Sequence, residues 1–177
     1  VEADWCIGEL YKTLDNEGLL DNTLIIFSSD NGPVLNDGYY DDAVEKLGDH
    51  TPSGGLRGGK YSLFEAGTKV PFISYWRGKI NPGVSNELIS QVDLLNSISS
   101  IIGSEFKSND GIDLSDLLLR NKGKGRDNLV VEASTRTAFR KGDWVIIPPY
   151  DAPALNKNVN IELGNSNNFQ LYNLEDD

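Results

Sequence analysis

The sequence has very little of several residues that define common classes of protein and site. Its 177 residues include one cysteine, one histidine and no methionine. A single cysteine excludes an internal disulfide framework and a cysteine-rich zinc site. No run of about 20 apolar residues is present, so the sequence predicts no membrane span. Because the chain lacks methionine and begins inside a helical pattern, we interpret it as a piece of a longer protein.

Positive charge is also scarce, with 16 Lys and Arg against 27 Asp and Glu and a formal net charge of −11. The mean field of such a chain repels nucleic-acid backbones and anionic membrane surfaces, so neither is an expected partner. Hydrophobic residues make up 38% of the chain, which is enough to form a core. The composition therefore indicates a globular domain, and a locally basic cleft for an anionic substrate stays possible.

Hydrophobic periodicity predicts an α/β region followed by a small antiparallel sheet. Helical spacing runs over residues 3–18 and ends at Gly18, and apolar runs at 24–27 and 70–76 are typical of buried strands. Residues 34–60 form a long loop, and 91–102 an amphipathic helix. Strand-like runs follow at 129–131, 136–140, 143–147 and 169–172. We predict a partial mixed sheet flanked by helices over residues 1–103 and a small antiparallel subdomain over 104–177.

The first candidate site is the segment Ser28-Ser29-Asp30-Asn31-Gly32, which directly follows the first predicted strand. In an open α/β sheet, ligands bind beyond the carboxyl ends of the strands. Asp30 and Asn31 offer a carboxylate and an amide carbonyl, which are oxygen donors that suit Ca²⁺ or Mg²⁺. Taken alone, these residues favour a plain turn, because Asp, Asn and Gly are the commonest turn residues.

The second candidate site is Leu56-Arg57-Gly58-Gly59-Lys60, at the end of the long loop. The paired glycines allow a close approach of backbone to a ligand, and Lys60 provides a compact positive charge for an oxyanion. The spacing is not that of a nucleotide-binding P-loop. By itself, the segment favours a flexible surface loop with a solvated lysine.

Taken together and in this order, the two segments resemble the sulfatase family of the alkaline phosphatase superfamily. In that family a strand ending in Asp-Asn-Gly precedes a Leu-Arg-Gly-Gly-Lys segment, and an aromatic-Glu-Gly-Gly-Thr-x-Val-Pro-Phe run comes next. Here that run spans residues 64–72, with Ala66 where glycine is usual. Residues 139–144 and 170–176 also look like the family, so the resemblance covers nearly the whole chain.

The resemblance implies a role for each residue of the two segments. Asp30 and Asn31 are expected to be two ligands of a divalent cation, usually Ca²⁺, and Lys60 is expected to contact a sulfate oxygen. His50 is expected to line the substrate pocket as a contact or proton carrier, with an ordinary loop histidine as the alternative. Arg57 is expected either to bind sulfate or an acidic sugar or to brace its loop. The family also implies an exported protein.

The resemblance fails at the nucleophile. Sulfatases use a formylglycine made from Cys or Ser in a Cys/Ser-x-Pro/Ala-x-Arg motif, whereas Cys6 is followed by Ile7-Gly8-Glu9-Leu10 and no serine fits. We interpret Cys6 as a buried cysteine on a helix face. The family's earlier pair of metal-binding aspartates is also absent. The chain is therefore expected to be the C-terminal portion of a sulfuric ester hydrolase, inactive alone and a weak Ca²⁺ binder at best.

The expected partners are a sulfated small molecule or sulfated carbohydrate and the missing N-terminal half of the same protein. Tyr39, Tyr40 and Asp41 make the long loop a plausible surface for reading a sugar. A truncated sheet exposes an edge and an apolar face, so self-association is also expected. Two alternatives stay open: a phosphodiesterase or phosphonate hydrolase of the same superfamily, and a non-catalytic binding domain.

Overall fold

The computed structural model describes residues 2–176, which combine α-helices with antiparallel sheets, as predicted for the α/β class. The helices are α1 (Glu2–Asn16), α2 (Glu65–Thr68), α3 (Leu94–Ile101) and α4 (Ser115–Arg120). The strands are β1 (Ile25–Ser28), β2 (Phe72–Tyr75), β3 (Asn128–Ala133), β4 (Arg136–Lys141), β5 (Trp144–Ile147), β6 (Leu155–Asn156), β7 (Ile161–Glu162) and β8 (Gln170–Asn173). None of the described helices is both long and apolar enough to cross a membrane.

The chain divides into two compact units that are interleaved along the sequence. The first unit contains Val1–Phe27 and Phe72–Arg126, and the second contains Ser28–Pro71 and Asp127–Asp177. Both candidate segments, from residue 28 to residue 72, therefore lie almost entirely in the second unit, with the C-terminal sheet. The predicted domain boundary after residue 103 stays a prediction.

In the first unit, α1 is anchored by polar contacts at its C-terminal end. Arg77 donates hydrogen bonds to the Asp15 carboxylate at 2.6 Å and to the Tyr11 hydroxyl at 3.0 Å, and its hydrogen bond lowers the pKa of Asp15. Gly18 follows the helix with a φ of +68°, as predicted for its C-cap. Within the described chain no side chain of α1 is buried, and Cys6 is exposed. The prediction of a buried Cys6 was wrong, because the described chain covers no face of α1 completely.

The strands β1 and β2 pair as a two-stranded sheet close to the predicted positions. The prediction that they are buried was wrong, since no residue of either strand is buried and Ile73 is 58% exposed. The physical reason is that two strands alone give a sheet whose faces the described chain covers only in part. Between the two strands in sequence, the short helix α2 forms a single turn at Glu65–Thr68.

The predicted amphipathic helix is α3 with a preceding 3₁₀ turn, but its polar side is the covered one. The Asn96 amide donates to the carbonyl of Ser108 at 3.1 Å, and the Ser97 hydroxyl accepts the amide N–H of Leu114 at 2.9 Å. Val92, Leu95 and Ile98 on the apolar side are 51%, 51% and 38% exposed. The polar side is buried because its side chains bind the backbone of the loop before α4.

A buried ion pair joins the start of α3 to the end of the first unit. The Asp93 carboxylate is 1% exposed and accepts two hydrogen bonds from Arg126 Nε, at 2.8 and 3.0 Å. It also accepts the N–H groups of Ser90 and Ile112, both at 2.9 Å. This bonding to Asp93 raises the pKa of Arg126, so the guanidinium stays charged. Through these hydrogen bonds, the Asp93 carboxylate joins three stretches of the first unit, which contain Ser90, Ile112 and Arg126.

The second unit is built on a four-stranded antiparallel sheet in the order β3-β4-β5-β8. All four strands lie where the sequence predicts them. Their inner face forms a core with Leu63 and Phe64 from the candidate site segment, and it contains Ala133, Ala138 and Ile147. The Phe64 ring meets the ring of Tyr172 edge-on, with 5.9 Å between centroids. The chain directly after the candidate Lys60 segment therefore contributes to the hydrophobic core of this sheet.

The hairpin β6-β7 adds a second attachment for the same segment. Leu63 donates its N–H to the carbonyl of Leu163 at 3.1 Å. Arg57 forms a two-pronged ion pair with Glu162, at 2.7 Å from Nε and 3.1 Å from Nη2. Its guanidinium also lies 4.0 Å above the Phe64 ring. Both side chains of the ion pair are about half exposed, so water screens the interaction.

We predict that Asp93→Asn lowers the free energy of unfolding by about 3–5 kcal/mol, because it leaves Arg126 charged and without a carboxylate in a buried position. Urea denaturation of the wild type and the variant measures the difference. Asp116→Asn is the matched control, since Asp116 pairs with Arg120 on the exposed surface of α4. The control should change stability by no more than about 0.5 kcal/mol. Equal effects of the two substitutions would contradict the assigned role of Asp93.

We also predict a pH-dependent contribution from Glu162, whose pKa is lowered chiefly by its hydrogen bonds with Arg57. A carboxylate with a lowered pKa stabilises the folded state above the pKa of its unfolded form, and this contribution disappears as pH falls. Glu162→Gln should therefore cost up to about 1 kcal/mol at pH 7. The difference should fade below about pH 4, where an ordinary glutamate becomes protonated.

The measurement is urea denaturation of both proteins between pH 3 and pH 7. Glu175→Gln is the control, because Glu175 is an exposed glutamate of the same unit and has no ion pair among the described residues. A difference between wild type and Glu162→Gln that persists unchanged at pH 3 would show that the ion pair is not its source.

Candidate functional site

The acidic turn after β1 presents two oxygen donors. Asn31 donates from its side-chain nitrogen to the carbonyl of Gly32 at 2.9 Å, so its side-chain oxygen is left without a donor among the described residues. The exposed Asp30 carboxylate has one weak contact, with the Ser29 hydroxyl at 3.5 Å. Both side-chain oxygens are therefore available to an added cation.

The backbone brings the turn and the Lys60 segment into direct contact. Lys60 donates its N–H to the carbonyl of Pro33 at 2.9 Å, and Gly32 donates its N–H to the carbonyl of Gly67 at 2.9 Å. Pro33 is three residues from Asp30 and two from Asn31, so the two predicted segments meet as neighbours. The two segments lie about 30 residues apart in the sequence, and the hydrogen bonds between them join their main chains.

Glycines make this close packing of main chains possible. A Cβ atom on Gly32 would lie 1.6 Å from the carbonyl oxygen of Ala66, which is far inside van der Waals contact. A Cβ on Gly59 would lie 2.7 Å from the carbonyl oxygen of Pro33. The sequence predicts that Gly58 and Gly59 allow a close approach of backbone to a ligand. In the structure Gly59 allows the close approach of the Pro33 backbone, and a Cβ on Gly58 would lie 2.4 Å from the Ser62 side chain.

The Lys60 side chain is partly buried and has no carboxylate partner. Its Nζ lies 5.6 Å from the centroid of the Tyr61 ring, and it forms no ion pair with any described residue. An ammonium group that is partly removed from water and not neutralised locally attracts an anion more strongly than a fully solvated one does. Lys60 is therefore a suitable contact for an oxyanion.

A cavity of about 280 Å³ opens beside the acidic turn. The residues that line it come from the turn, from the loop and from the chain that leads to β2: Ser29, Asn31, Gly32, Pro33, Pro52, Ser53, Ala66, Lys69, Val70 and Pro71. His50 is exposed, two residues from the lining residue Pro52, and its backbone N–H donates to the carbonyl of Leu47 at 3.2 Å. The role predicted for His50 stays a prediction.

Arg57 has the contacts of a bracing residue. Two of its nitrogens bind Glu162 and its plane covers Phe64, which holds the start of the Lys60 segment against the hairpin and the core. The hydrogen bonds with Glu162 raise the pKa of Arg57. Whether Arg57 also binds substrate stays a prediction.

The donors at the acidic turn fit part of a Ca²⁺ site. Calcium takes six to eight oxygen ligands, with carboxylates and amide carbonyls among the commonest. Asp30 and Asn31 supply one of each. Among residues 2–176, no group of three or more His, Cys, Asp and Glu side chains is positioned to hold a metal. A complete cation site therefore needs additional donors.

Sequence reasoning missed Arg136, which contacts the Lys60 segment from the sheet. Its side chain is buried on the same face of β4 as Ala138, and it donates to the carbonyl of Tyr61 at 2.7 Å. The only signal in the sequence was the alternation of β4, which assigns residues 136 and 138 to one face. Nothing in that pattern indicates what a buried arginine would bind 75 residues away.

Comparison with known proteins gives a consistent assignment. The sulfatase family model matches residues 1–104. An N-acetylgalactosamine-6-O-sulfatase of Bacteroides thetaiotaomicron is 43% identical over the whole chain and 35% of its own length. Human arylsulfatase A is 36% identical over 73% of the chain and 24% of its own length. The chain thus spans about a third or less of the length of these relatives.

Solved structures agree in fold. A structure from a study of glycosaminoglycan metabolism by Bacteroides thetaiotaomicron superposes with a TM-score of 0.91 at 42% identity, covering 98% of this chain and 37% of the other. The PsFucS1 sulfatase from Pseudoalteromonas superposes with a TM-score of 0.73 at 31% identity, covering 99% of this chain and 35% of the other. These neighbours have the alkaline-phosphatase-like fold of sulfatases. The order of the motifs, the contact between the Asp30 turn and the Lys60 segment, and the family match agree: the chain belongs to the sulfatase family.

Proposed function

We propose that this chain is the C-terminal portion of a sulfuric ester hydrolase that cleaves sulfate esters, with a formylglycine nucleophile supplied by a part of the protein outside the chain. The observation that carries the proposal is the hydrogen bond from Lys60 to Pro33, which joins the main chains of the anion-binding and cation-binding segments. A sulfate ester needs a positive group and a metal on the same oxyanion, and this contact supports such an arrangement.

The Asp30 turn is proposed to hold a divalent cation, most suitably Ca²⁺. The carboxylate of Asp30 and the side-chain oxygen of Asn31 would be two of its ligands. The bond from Asn31 to the carbonyl of Gly32 supports this role, because it fixes the amide with its oxygen free to accept a cation. When bound, the cation would neutralise part of the charge of the sulfate group.

Lys60 is proposed to contact a sulfate oxygen and to stabilise the charge that shifts while the S–O bond breaks. No carboxylate in the described part of the chain pairs with Lys60, which supports this role, since no such residue neutralises its charge. His50 is proposed to line the substrate pocket, where a histidine can carry a proton near neutral pH. Arg57 is proposed to keep the Lys60 segment in place from the hairpin side.

The proposed substrate is a sulfated carbohydrate rather than a simple aryl sulfate. Tyr39 and Tyr40 on the long loop are 78% and 107% exposed, and exposed aromatic rings next to carboxylates suit sugar faces and hydroxyl groups. The bacterial relative at 43% identity carries the name of a carbohydrate sulfatase, which supports the same choice. Aryl sulfates remain useful as chromogenic probes of the shared chemistry.

A second part of the protein is the proposed partner of this chain. It would supply the nucleophile and the remaining metal ligands, and it would cover apolar surface that is exposed here. Trp5 and Leu10 on α1 are 63% and 53% exposed, and the apolar side of α3 is exposed as well. Without that partner, the same surfaces would favour self-association of the chain.

We predict that the purified 177-residue chain releases no sulfate from a chromogenic aryl sulfate, whereas the product of the whole reading frame does. The physical reason is that no residue of the chain matches the formylglycine motif. Sulfate release by both proteins, with and without added Ca²⁺, provides the measurement. Activity of the isolated chain would refute the proposal. Absence of a Cys/Ser-x-Pro/Ala-x-Arg motif from the whole reading frame would favour a non-catalytic binding domain.

We predict that Lys60→Ala in the whole gene product lowers kcat/KM by about 100- to 1000-fold, the usual effect of removing one group that stabilises transition-state charge. Lys122→Ala is the matched control, because Lys122 is an exposed lysine of a turn in the first unit. A Lys60→Ala enzyme with unaltered kinetics would exclude the assigned oxyanion contact.

We predict that Asp30→Asn in the same gene product raises the Ca²⁺ concentration needed for half-maximal activity, whereas Asp37→Asn does not.

A further inference from the structure

Arg136 is a buried arginine that pairs with no carboxylate among residues 2–176. The residue is 7% exposed, and burial lowers its pKa. Its hydrogen bonds within this range go to neutral oxygens: the carbonyls of Ala133 at 3.2 Å, Leu163 at 2.9 Å and Tyr61 at 2.7 Å, and the side-chain oxygen of Asn165. A charged group in this position costs desolvation energy that no ion pair with a described residue recovers. What Arg136 contributes to the structure is therefore the fixed position of the oxygens that accept its hydrogen bonds.

The oxygen at Tyr61 belongs to a strained turn that carries Lys60. Ser62 donates its N–H to the carbonyl of Gly59 at 3.0 Å, which closes a four-residue turn with Lys60 and Tyr61 in the middle. Tyr61 has a φ of +76°, in the left-handed region that residues other than glycine rarely occupy. Glycine is the usual residue at this position of a type II turn. A tyrosine stays in this conformation only when its surroundings hold it there.

Two hydrogen bonds attach the turn to other parts of the second unit. The carbonyl of Pro33 accepts the N–H of Lys60, and Arg136 donates to the carbonyl of Tyr61. The second bond is charge-assisted and short, so it is the stronger kind of restraint. Arg136 is itself fixed by three further acceptors, which makes its position independent of the turn. The side chain thus connects the Lys60 turn to β4 and to the chain after β7.

We infer that Arg136 is a positioning residue for Lys60: it holds the turn at residues 59–62 in its strained conformation, and its effect on the reaction passes entirely through the lysine. The inference that Arg136 holds the turn follows from the geometry alone. The inference that Arg136 affects the reaction rests on the function proposed for Lys60. A lysine at position 136 would be a poor replacement, because it lacks the planar fork that binds several acceptors at once.

Hydrogen exchange of backbone amides in the whole gene product tests whether Arg136 holds the turn. The proteins compared are wild type, Arg136→Lys and Arg136→Gln, each with Tyr61 or with Tyr61→Gly. We expect both Arg136 substitutions to speed exchange at the amides of Lys60 and Ser62 by about tenfold or more, relative to amides in the β4-β5 pairing. Tyr61→Gly should restore most of the protection, because glycine adopts a positive φ without strain.

Restored protection in the Tyr61→Gly variants would distinguish a role of Arg136 in holding the turn from a general loss of stability. Arg140→Lys is the matched control: Arg140 lies on the same strand and binds Glu65 and the carbonyl of Gly142, so exchange at Lys60 should be unchanged. Uniform acceleration of all amides, or failure of Tyr61→Gly to restore protection, would overturn the inference. If Arg136→Gln does not fold, the comparison is made with Arg136→Lys, which keeps the charge.

Turnover by the whole gene product tests the effect on the reaction. Arg136→Lys should lower kcat/KM at least tenfold with Lys60 present and have no further effect on Lys60→Ala, since both substitutions would remove the same contact. Additive losses would show that Arg136 acts on something other than Lys60. If Lys60→Ala leaves turnover intact, the proposed function fails, and the exchange data still decide whether Arg136 holds the turn.

Discussion

Burial of Leu63 and Phe64 against the antiparallel sheet is the interaction on which the arrangement of the second unit depends. These side chains are 5% and 8% exposed and complete a core with Ala138 and Ile147. Burying a leucine or phenylalanine stabilises a fold by about 1.5–3 kcal/mol. They lie three and four residues after Lys60, so the contact that forms the core also anchors the chain that follows the lysine.

Two arginines bind the Lys60 segment to different parts of the unit. Arg57 attaches it to the hairpin through Glu162, and Arg136 attaches its turn to β4. The half-exposed Arg57 pair is a weak restraint, whereas the buried Arg136 is a strong one. A graded set of restraints explains how a loop-like sequence rich in glycine can present a lysine in one position.

Much of the apolar surface of the first unit is uncovered in the described chain. The polar side of α3 is used to order the loop before α4, and the Asp93–Arg126 pair completes that arrangement. Its apolar side faces outward, as do large side chains of α1 and β2. An apolar helix face this exposed is unusual in a self-sufficient domain. It agrees with the proposal that another part of the protein packs against this unit.

The sequence by itself determined the family, the order of the motifs and most of the elements. Apolar alternation located the four strands of the C-terminal sheet, and the Asp30 and Lys60 segments were recognised because they are contiguous runs. These features are local, and a local pattern reports the backbone conformation of its own residues. The same reasoning gave the wrong environment for Cys6, because periodicity identifies a face of a helix but not what covers it.

Only the tertiary structure decided which of these residues support one another. The glycines beside Lys60 meet the backbone of Pro33, Arg57 binds a glutamate 105 positions along the chain, and Arg136 binds a carbonyl 75 positions away. Each contact joins residues that share no periodic relationship, so no pattern within one segment could specify it. The geometry around Lys60 therefore comes from the folding of the sheet onto the loop, whereas the presence of that lysine was evident from the sequence.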